Sequence, residues 1–392
     1  MNRRQLLRTG LATPFMFAPL SAAGNAKPGD QPILVVVEMS GGNDGLNSVV
    51  PISNDAYYQL RPKLGINAGQ TLPLDADYGL NKGMLGLHRL WQDGQLAIVH
   101  GCGYDRPSFS HFTSMAYWHT GAPHRGSELG WVGRTADVLA PERVPNLLIN
   151  VASNQSLAVK SARHTPVVFD EPERFARHQW MHAPTDPALN PLKTESAAGN
   201  RAFLQDVYRS ANTSARDIQA AWQAQTTQAD YGIAPMGLPK VAACIKAGLG
   251  AQLYYVAFAN NAFDTHVQQA ALHRRLLSYL CDGVYGFLAD LRSAGVSKNV
   301  VVLMFSEFGR RAGENANQGT DHGTANVMFM AGDGVRGGHY GSAPDLTQLT
   351  ELGNVTHTTD FRQVYATALN GWLGVDAAAV LGQPFANLPI FS

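Results

Sequence analysis

The sequence predicts an α/β fold built on a mostly parallel central sheet, with an inserted helical segment. Three observations predict it. Short apolar runs such as Ile33–Glu38, Leu253–Phe258 and Val300–Phe305 lack the alternation of a half-exposed strand and read as strands buried on both faces. A long amphipathic stretch, Gln268–Ala294, separates the last two, which is the strand–loop–helix–strand pattern of a right-handed crossover. Polar clusters follow directly on these strands, at the end where open α/β sheets bind ligands.

The N-terminus is read first. Asn2-Arg3-Arg4-Gln5-Leu6-Leu7-Arg8 resembles a twin-arginine export motif, followed by an apolar stretch Leu11–Leu20 and small residues Ser21, Ala22 and Ala23. Residues 1–26 are therefore expected to be a signal peptide cleaved after Ala23 or Ala26, sending a folded domain of 27–392 to the periplasm or beyond. The apolar stretch is short and broken by Pro14 and Pro19, so no membrane span is expected. Formal charge is zero over 392 residues, and loss of the leader arginines leaves the remainder mildly acidic, which argues against nucleic-acid binding. Cys102, Cys244 and Cys281 are odd in number and widely spaced, so they are read as buried thiols.

Ile33–Glu38 is the first strand. It runs into Gly41-Gly42-Asn43-Asp44-Gly45, where glycines let the chain turn sharply and leave Asp44 at the strand end. Leu85–Trp91 reads as a short helix and Leu96–His100 as a second strand. His111–His119 reads as a helix that stops at Gly121, with Ser108 and Ser110 near its start. Ser110 is there either as an N-cap or as a nucleophile at a helix N-terminus. Asn146–Val151 and Thr165–Phe169 are further strands. From about 170 to 235 the chain turns polar around an amphipathic stretch, Arg201–Gln223, expected to be a helical insertion that caps the sheet or meets a periplasmic partner or a second copy.

Leu253–Phe258 ends in Phe263-Asp264-Thr265-His266, where a hard oxygen and an imidazole on one loop suit a divalent cation. After the long helix, Val300–Phe305 and Val327–Ala331 flank a loop carrying Ser306, Glu307, Arg310, Arg311, Asp321 and His322. The glycine-rich Gly332–Gly341 lacks the lysine of a P-loop. Thr359 or Asp360 caps a helix running through Trp372. Parallel strands bring such loops to one edge. There Asp44 and Glu307 can hold one hard cation, and Asp264, His266 and His322 a second, with Asp321 orienting or ligating. Two cations roughly 3.5–4 Å apart would clamp both oxygens of a displacement.

Together with Ser110-His111-Phe112, the stretches Gly41–Gly45, Phe263–His266, Ser306–Arg311 and Gly319–Gly323 resemble the exported bacterial family known as domain of unknown function 1501. That family in turn resembles the alkaline phosphatase and sulfatase superfamily. The resemblance implies a three-layer α/β/α sandwich with one or two divalent ions (Zn, Mn, Mg or Ca) at the sheet edge. It implies hydrolysis of a phosphate or sulfate ester, a small anionic substrate, with Ser110 as nucleophile, Arg310 neutralising the non-bridging oxygens and His111 as a proton shuttle or a structural group. A periplasmic scaffold or binding protein without turnover is the other function this reading leaves open. Where the superfamily carries Asp-His after this strand, the chain has Glu307-Phe308, which removes an imidazole from the second metal.

Overall fold

The computed structural model describes residues 31–175, 200–258 and 260–391. The expected leader and residues 176–199 of the expected insertion lie outside the described residues. β1 (Ile33–Met39) passes through the one-turn α1 (Gly45–Ser48) to a small antiparallel sheet of β2 (Val49–Pro51), β3 (Thr71–Pro73) and β4 (Tyr78–Asn81). The short α2 (Asp55–Leu60) lies between its first two strands. Then come α3 (Leu85–Gln92), β5 (Leu96–Gly103), α4 (His111–Thr120), α5 (Trp131–Leu139), β6 (Leu148–Val151) and β7 (Val167–Phe169). The chain continues with α6 (Asn200–Ala224), α7 (Leu238–Lys246), β8 (Leu253–Phe258), α8 (Gln269–Ser293) and β9 (Val300–Phe305). It ends with a ribbon of β10 (Gly309–Arg310) and β11 (His322–Gly323), then β12 (Asn326–Ala331), β13 (Gly338–Tyr340), β14 (Thr359–Asp360), α9 (Phe361–Ala366) and α10 (Ala377–Leu381).

The main sheet has the order β13-β5-β12-β9-β1-β8-β6-β7, with β14 beside β5. β1 lies parallel to β8 and β9, with Val37 level with Val256 and Met304. β12 alone runs antiparallel to its neighbours, because the β10–β11 ribbon, and no crossover helix, joins it to β9. Every β1 residue is buried, and each Val or Leu so placed stabilises the fold by roughly 1.5–3 kcal/mol over exposure. Alternate residues serve opposite layers. Ile33, Val35 and Val37 pack with α3, α7 and α8 through Leu87, Val241 and Leu280. Leu34 and Val36 pack with α4, α5 and α9 through Trp118, Trp131 and Phe361. The result is the expected three-layer α/β/α sandwich.

Two helices show what the spacing read in the sequence does and does not place. α6 covers the amphipathic part of the expected insertion, and its Ile218 joins the core on the α7–α8 side of the sheet. In the first turns of α8 the inward positions belong to Gln269 and His273, while Leu272 is 42% exposed. The polar pair is drawn in because it hydrogen-bonds the turn after β1: Gln269 Nε2 reaches Asp44 at 2.5 Å and His273 Nε2 reaches Asn43 Oδ1 at 2.9 Å. Among the described residues no helix is long and apolar enough to cross a membrane.

Candidate metal centre

β1, β8 and β9 end side by side, so their loops meet at one edge of the sheet. The turn after β1 is tight for a steric reason. A Cβ on Gly41, at φ +117, would lie 2.5 Å from the Asp264 amide nitrogen, and one on Gly42 would lie 2.3 Å from the Phe308 ring. Only glycine lets the β1 turn, the Asp264 loop and the Glu307 loop approach this closely.

The group at their meeting point is His111, Asp264 and His322, whose ligand atoms lie within 4.8 Å of one another, with His266 beside it. Asp264 Oδ1 is 3.0 Å from His322 Nε2 and 2.9 Å from His266 Nε2, and those two nitrogens are 3.0 Å apart. Asp264 Oδ2 is 3.3 Å from His111 Nε2. Burial raises the Asp264 pKa, but the contact with His322 and the hydrogen bond and charge of Arg310 outweigh it and hold the carboxyl at about 2. Burial lowers the His322 pKa, favouring the neutral ring.

The other nitrogen of each ring is occupied. His111 Nδ1 is 2.8 Å from Glu307 Oε1, a contact that pushes the His111 pKa up. His322 Nδ1 donates to the Phe109 carbonyl at 2.8 Å, and His266 Nδ1 lies 3.5 Å from Asp321 Oδ1. A carbonyl only accepts, so the His322 proton is on Nδ1 and the lone pair of its neutral ring is on Nε2. His111 Nε2 is buried without a hydrogen-bond partner among the described residues, despite its nearness to Asp264. His322 Nε2 thus turns a lone pair towards an ionised carboxylate, an arrangement a cation between them resolves. Imidazoles oriented through their far nitrogens by carboxylates and a carbonyl are the outer shell that metal-binding histidines use. Phe308 fills the space beneath, 5.0 Å from the His111 ring and 4.6 Å from His322.

Several residues singled out in the sequence do other work here. Asp44 is 1% exposed, caps α1 through the Asn47 amide and pairs with Arg61 Nη1 at 2.7 Å. Burial pushes its pKa up, yet the Arg61 charge and hydrogen bond bring it below the usual value. Glu307 is fully buried and accepts from the Gly41 and Gly42 amides, the Ser306 hydroxyl and His111. The cation expected between Asp44 and Glu307 therefore gives way to two separately satisfied carboxylates, and one candidate metal site remains. Arg310 corrects a second expectation. It is 2% exposed and donates to the carbonyls of Gly41, Gly42, Phe263 and Thr320 and to Asp264 at 2.8 Å, so it ties three loops together and offers nothing to a substrate anion. Asp321 is partly buried, 3.6 Å from Arg311 Nη1 and 3.5 Å from His266 Nδ1, and accepts from Asn315 Nδ2 at 3.2 Å. Ser110 sits at the N-cap position of α4 but makes no capping bond, leaving an exposed hydroxyl next to His111.

A family profile described as "Protein of unknown function (DUF1501)" matches residues 32–386. The chain belongs to the DUF1501 family. Among solved structures, this DUF1501 protein is similar to Ps i-CgsB in complex with k-i-k-neocarrahexaose, at 11% identity and TM-score 0.35, covering 91% of this chain and 73% of that one. It is similar to the lipoteichoic acid synthase LtaP from Listeria monocytogenes, at 9% identity and TM-score 0.34, covering 78% of this chain and 66% of that one. It is also similar to the C-terminal periplasmic domain of EcEptC from Escherichia coli in complex with Zn, at 10% identity and TM-score 0.33, covering 78% and 75%. No sequence among curated proteins matches it.

Proposed function

We propose that this DUF1501 protein is an exported, metal-dependent hydrolase of a phosphate or sulfate ester, using one cation held by His111, Asp264 and His322 with His266 at its rim. The observation that carries the reading is the set of imidazoles turned towards one carboxylate while their far nitrogens are held by Glu307, Phe109 and Asp321. A set rich in imidazole suits zinc or another first-row ion better than magnesium or calcium. Bound there, a divalent ion supplies Lewis-acid polarisation of the ester and acidifies a nearby hydroxyl. Glu307 fixes the His111 ring, the Phe109 carbonyl fixes the His322 tautomer, and Phe308 keeps water from beneath both. Ser110, with its hydroxyl uncommitted as a cap beside His111, is the nucleophile of this reading.

A second reading, a periplasmic metal-binding scaffold without turnover, draws on one observation: Arg310 is fully engaged by the protein itself. One experiment separates the two. Protein purified without chelator is assayed for metal and then against aryl phosphates, phosphodiesters and sulfates. The hydrolase reading expects one cation per chain, lost in His322→Ala, and turnover that falls at least a hundredfold in Ser110→Ala with metal retained. Absence of stoichiometric metal removes it, and turnover no greater than that of Ser110→Ala on every ester leaves the scaffold.

A further inference from the structure

Residues 104–110 join β5 to α4 without helix or strand, and Ser110 stands at their end. Arg106 among them takes a left-handed conformation, φ +49, which a non-glycine residue keeps where its surroundings hold the chain in place.

A directed run of hydrogen bonds does the holding. The Ser108 amide donates to the Tyr104 hydroxyl at 3.1 Å, and the Ser114 hydroxyl donates to the Glu307 carbonyl at 2.6 Å. A hydroxyl has one proton and a carbonyl only accepts, so Tyr104 is the donor in its 2.9 Å contact with Ser114 Oγ. Tyr104 is 3% exposed and Ser114 fully buried. Burial raises the Tyr104 pKa, which keeps the phenol protonated for this task. Its ring packs edge-on against Tyr117 and Phe361, 5.8 Å from each.

The run links Ser110 to the metal group. Ser108 Oγ accepts from the Ser110 amide at 3.3 Å, and the Ser110 carbonyl accepts from the Ser114 amide at 2.9 Å. Ser110 is thus held on both sides of its hydroxyl. Glu307, whose carbonyl receives the far end of the run, holds His111 Nδ1 through its side chain at 2.8 Å. Phe109, within the loop, gives its carbonyl to His322 Nδ1.

We propose that Tyr104 is a positioning residue that sets Ser110 against the cation, by tying the Ser110 loop to the same Glu307 that orients His111. The assignment rests on the ester-hydrolase reading, in which Ser110 is the nucleophile. Tyr104 acts through Ser108 and Ser114 alone. Tyr104→Phe keeps the ring and its packing and cuts the run at its middle link. A reacting group displaced by about 1 Å can cost about a hundredfold in rate.

The test reads position in the full-length protein with cobalt in place of zinc. In Ser110→Cys a thiolate at the ion adds an intense near-ultraviolet charge-transfer band. Adding Tyr104→Phe is expected to at least halve that band at saturating cobalt, with one cobalt per chain retained. Ser114→Ala, which cuts the same run one link further on, should act alike, and the two together should add little. With turnover, Tyr104→Phe lowers kcat at least tenfold at unchanged KM and zinc content, and it takes nothing further from the activity that Ser110→Ala retains. A band of undiminished strength overturns the assignment. So does lost metal, or an equal loss of kcat in the Ser110→Ala background, since either assigns Tyr104 to the fold as a whole. A band missing from Ser110→Cys itself overturns both this assignment and Ser110 as nucleophile. The band needs no turnover, so an absent hydrolase activity and a misassigned Tyr104 give different results.

Discussion

Replacing Asp44 with Asn separates a metal ligand from a structural anion. The Asp44–Arg61 pair is 2.7 Å long, and its members are 1% and 0% exposed. Arg61 also donates to the carbonyls of Ala312 and Arg311 and to Asn47 Oδ1, so its guanidinium has no route to water once the carboxylate is gone. Removing one member of a buried pair costs about 3–5 kcal/mol, and Asn keeps the shape and one acceptor, which places the loss near the lower figure. That is a large share of the roughly 5–15 kcal/mol that holds a domain folded. Urea unfolding of metal-free protein measures it as a lower midpoint at unchanged slope. Arg61→Met should behave alike, and the double variant should lose much less than the sum of the two. A loss under about 1 kcal/mol in metal-free Asp44→Asn, together with loss of a bound cation, would refute the structural assignment.

Glu307→Gln should weaken zinc affinity by about 10–100-fold, because it removes the anion that orients His111 Nδ1; competition with a chromophoric chelator measures this, and unchanged affinity would sink the orienting role. Acid should destabilise the fold through His100, which faces His339 Nδ1 at 2.7 Å, the Tyr78 ring and, beyond His339, Asp75. Burial, assisted by His339, lowers the His100 pKa to about 4. The unfolded chain takes up this proton near pH 6.5 while the folded one resists it, so stability falls as pH drops from about 6.5 to 4, by roughly 3 kcal/mol. The unfolding midpoint of His100→Gln measured across that window should be distinctly flatter than that of the parent chain.

The strands nearest the site were legible because they are buried on both faces and therefore continuously apolar. Ile33–Glu38, Leu253–Phe258 and Val300–Phe305 all appear close to their expected bounds. Asp264 and His266 follow β8 at the edge where parallel strands end, whereas His322 reaches that edge through the β10–β11 ribbon that leads into antiparallel β12. What the residues do once there did not follow. Nothing in spacing marks Arg61 as the partner of Asp44, since the pairing depends on how α2 lies over the turn after β1. Arg310 looked like a substrate cation because its type suits one, but its function is set by the carbonyls that surround it. His111 was expected as a proton shuttle or a structural group, and its place in the candidate metal group became visible only with Glu307 against its Nδ1. The sequence signal that remained was its position directly after Ser110, at the start of a helix.

The Glu307 carboxylate lies against the consecutive amides of Gly41 and Gly42, at 2.8 and 3.0 Å. Successive backbone amides turned inward form a receptor for anions. Here the receptor is filled by a guest tethered through its own chain, and a free oxyanion would have to displace a competitor held at very high effective concentration. Phosphate or sulfate in solution is thereby kept off the turn, and the loops around the imidazoles are locked in place before any cation arrives.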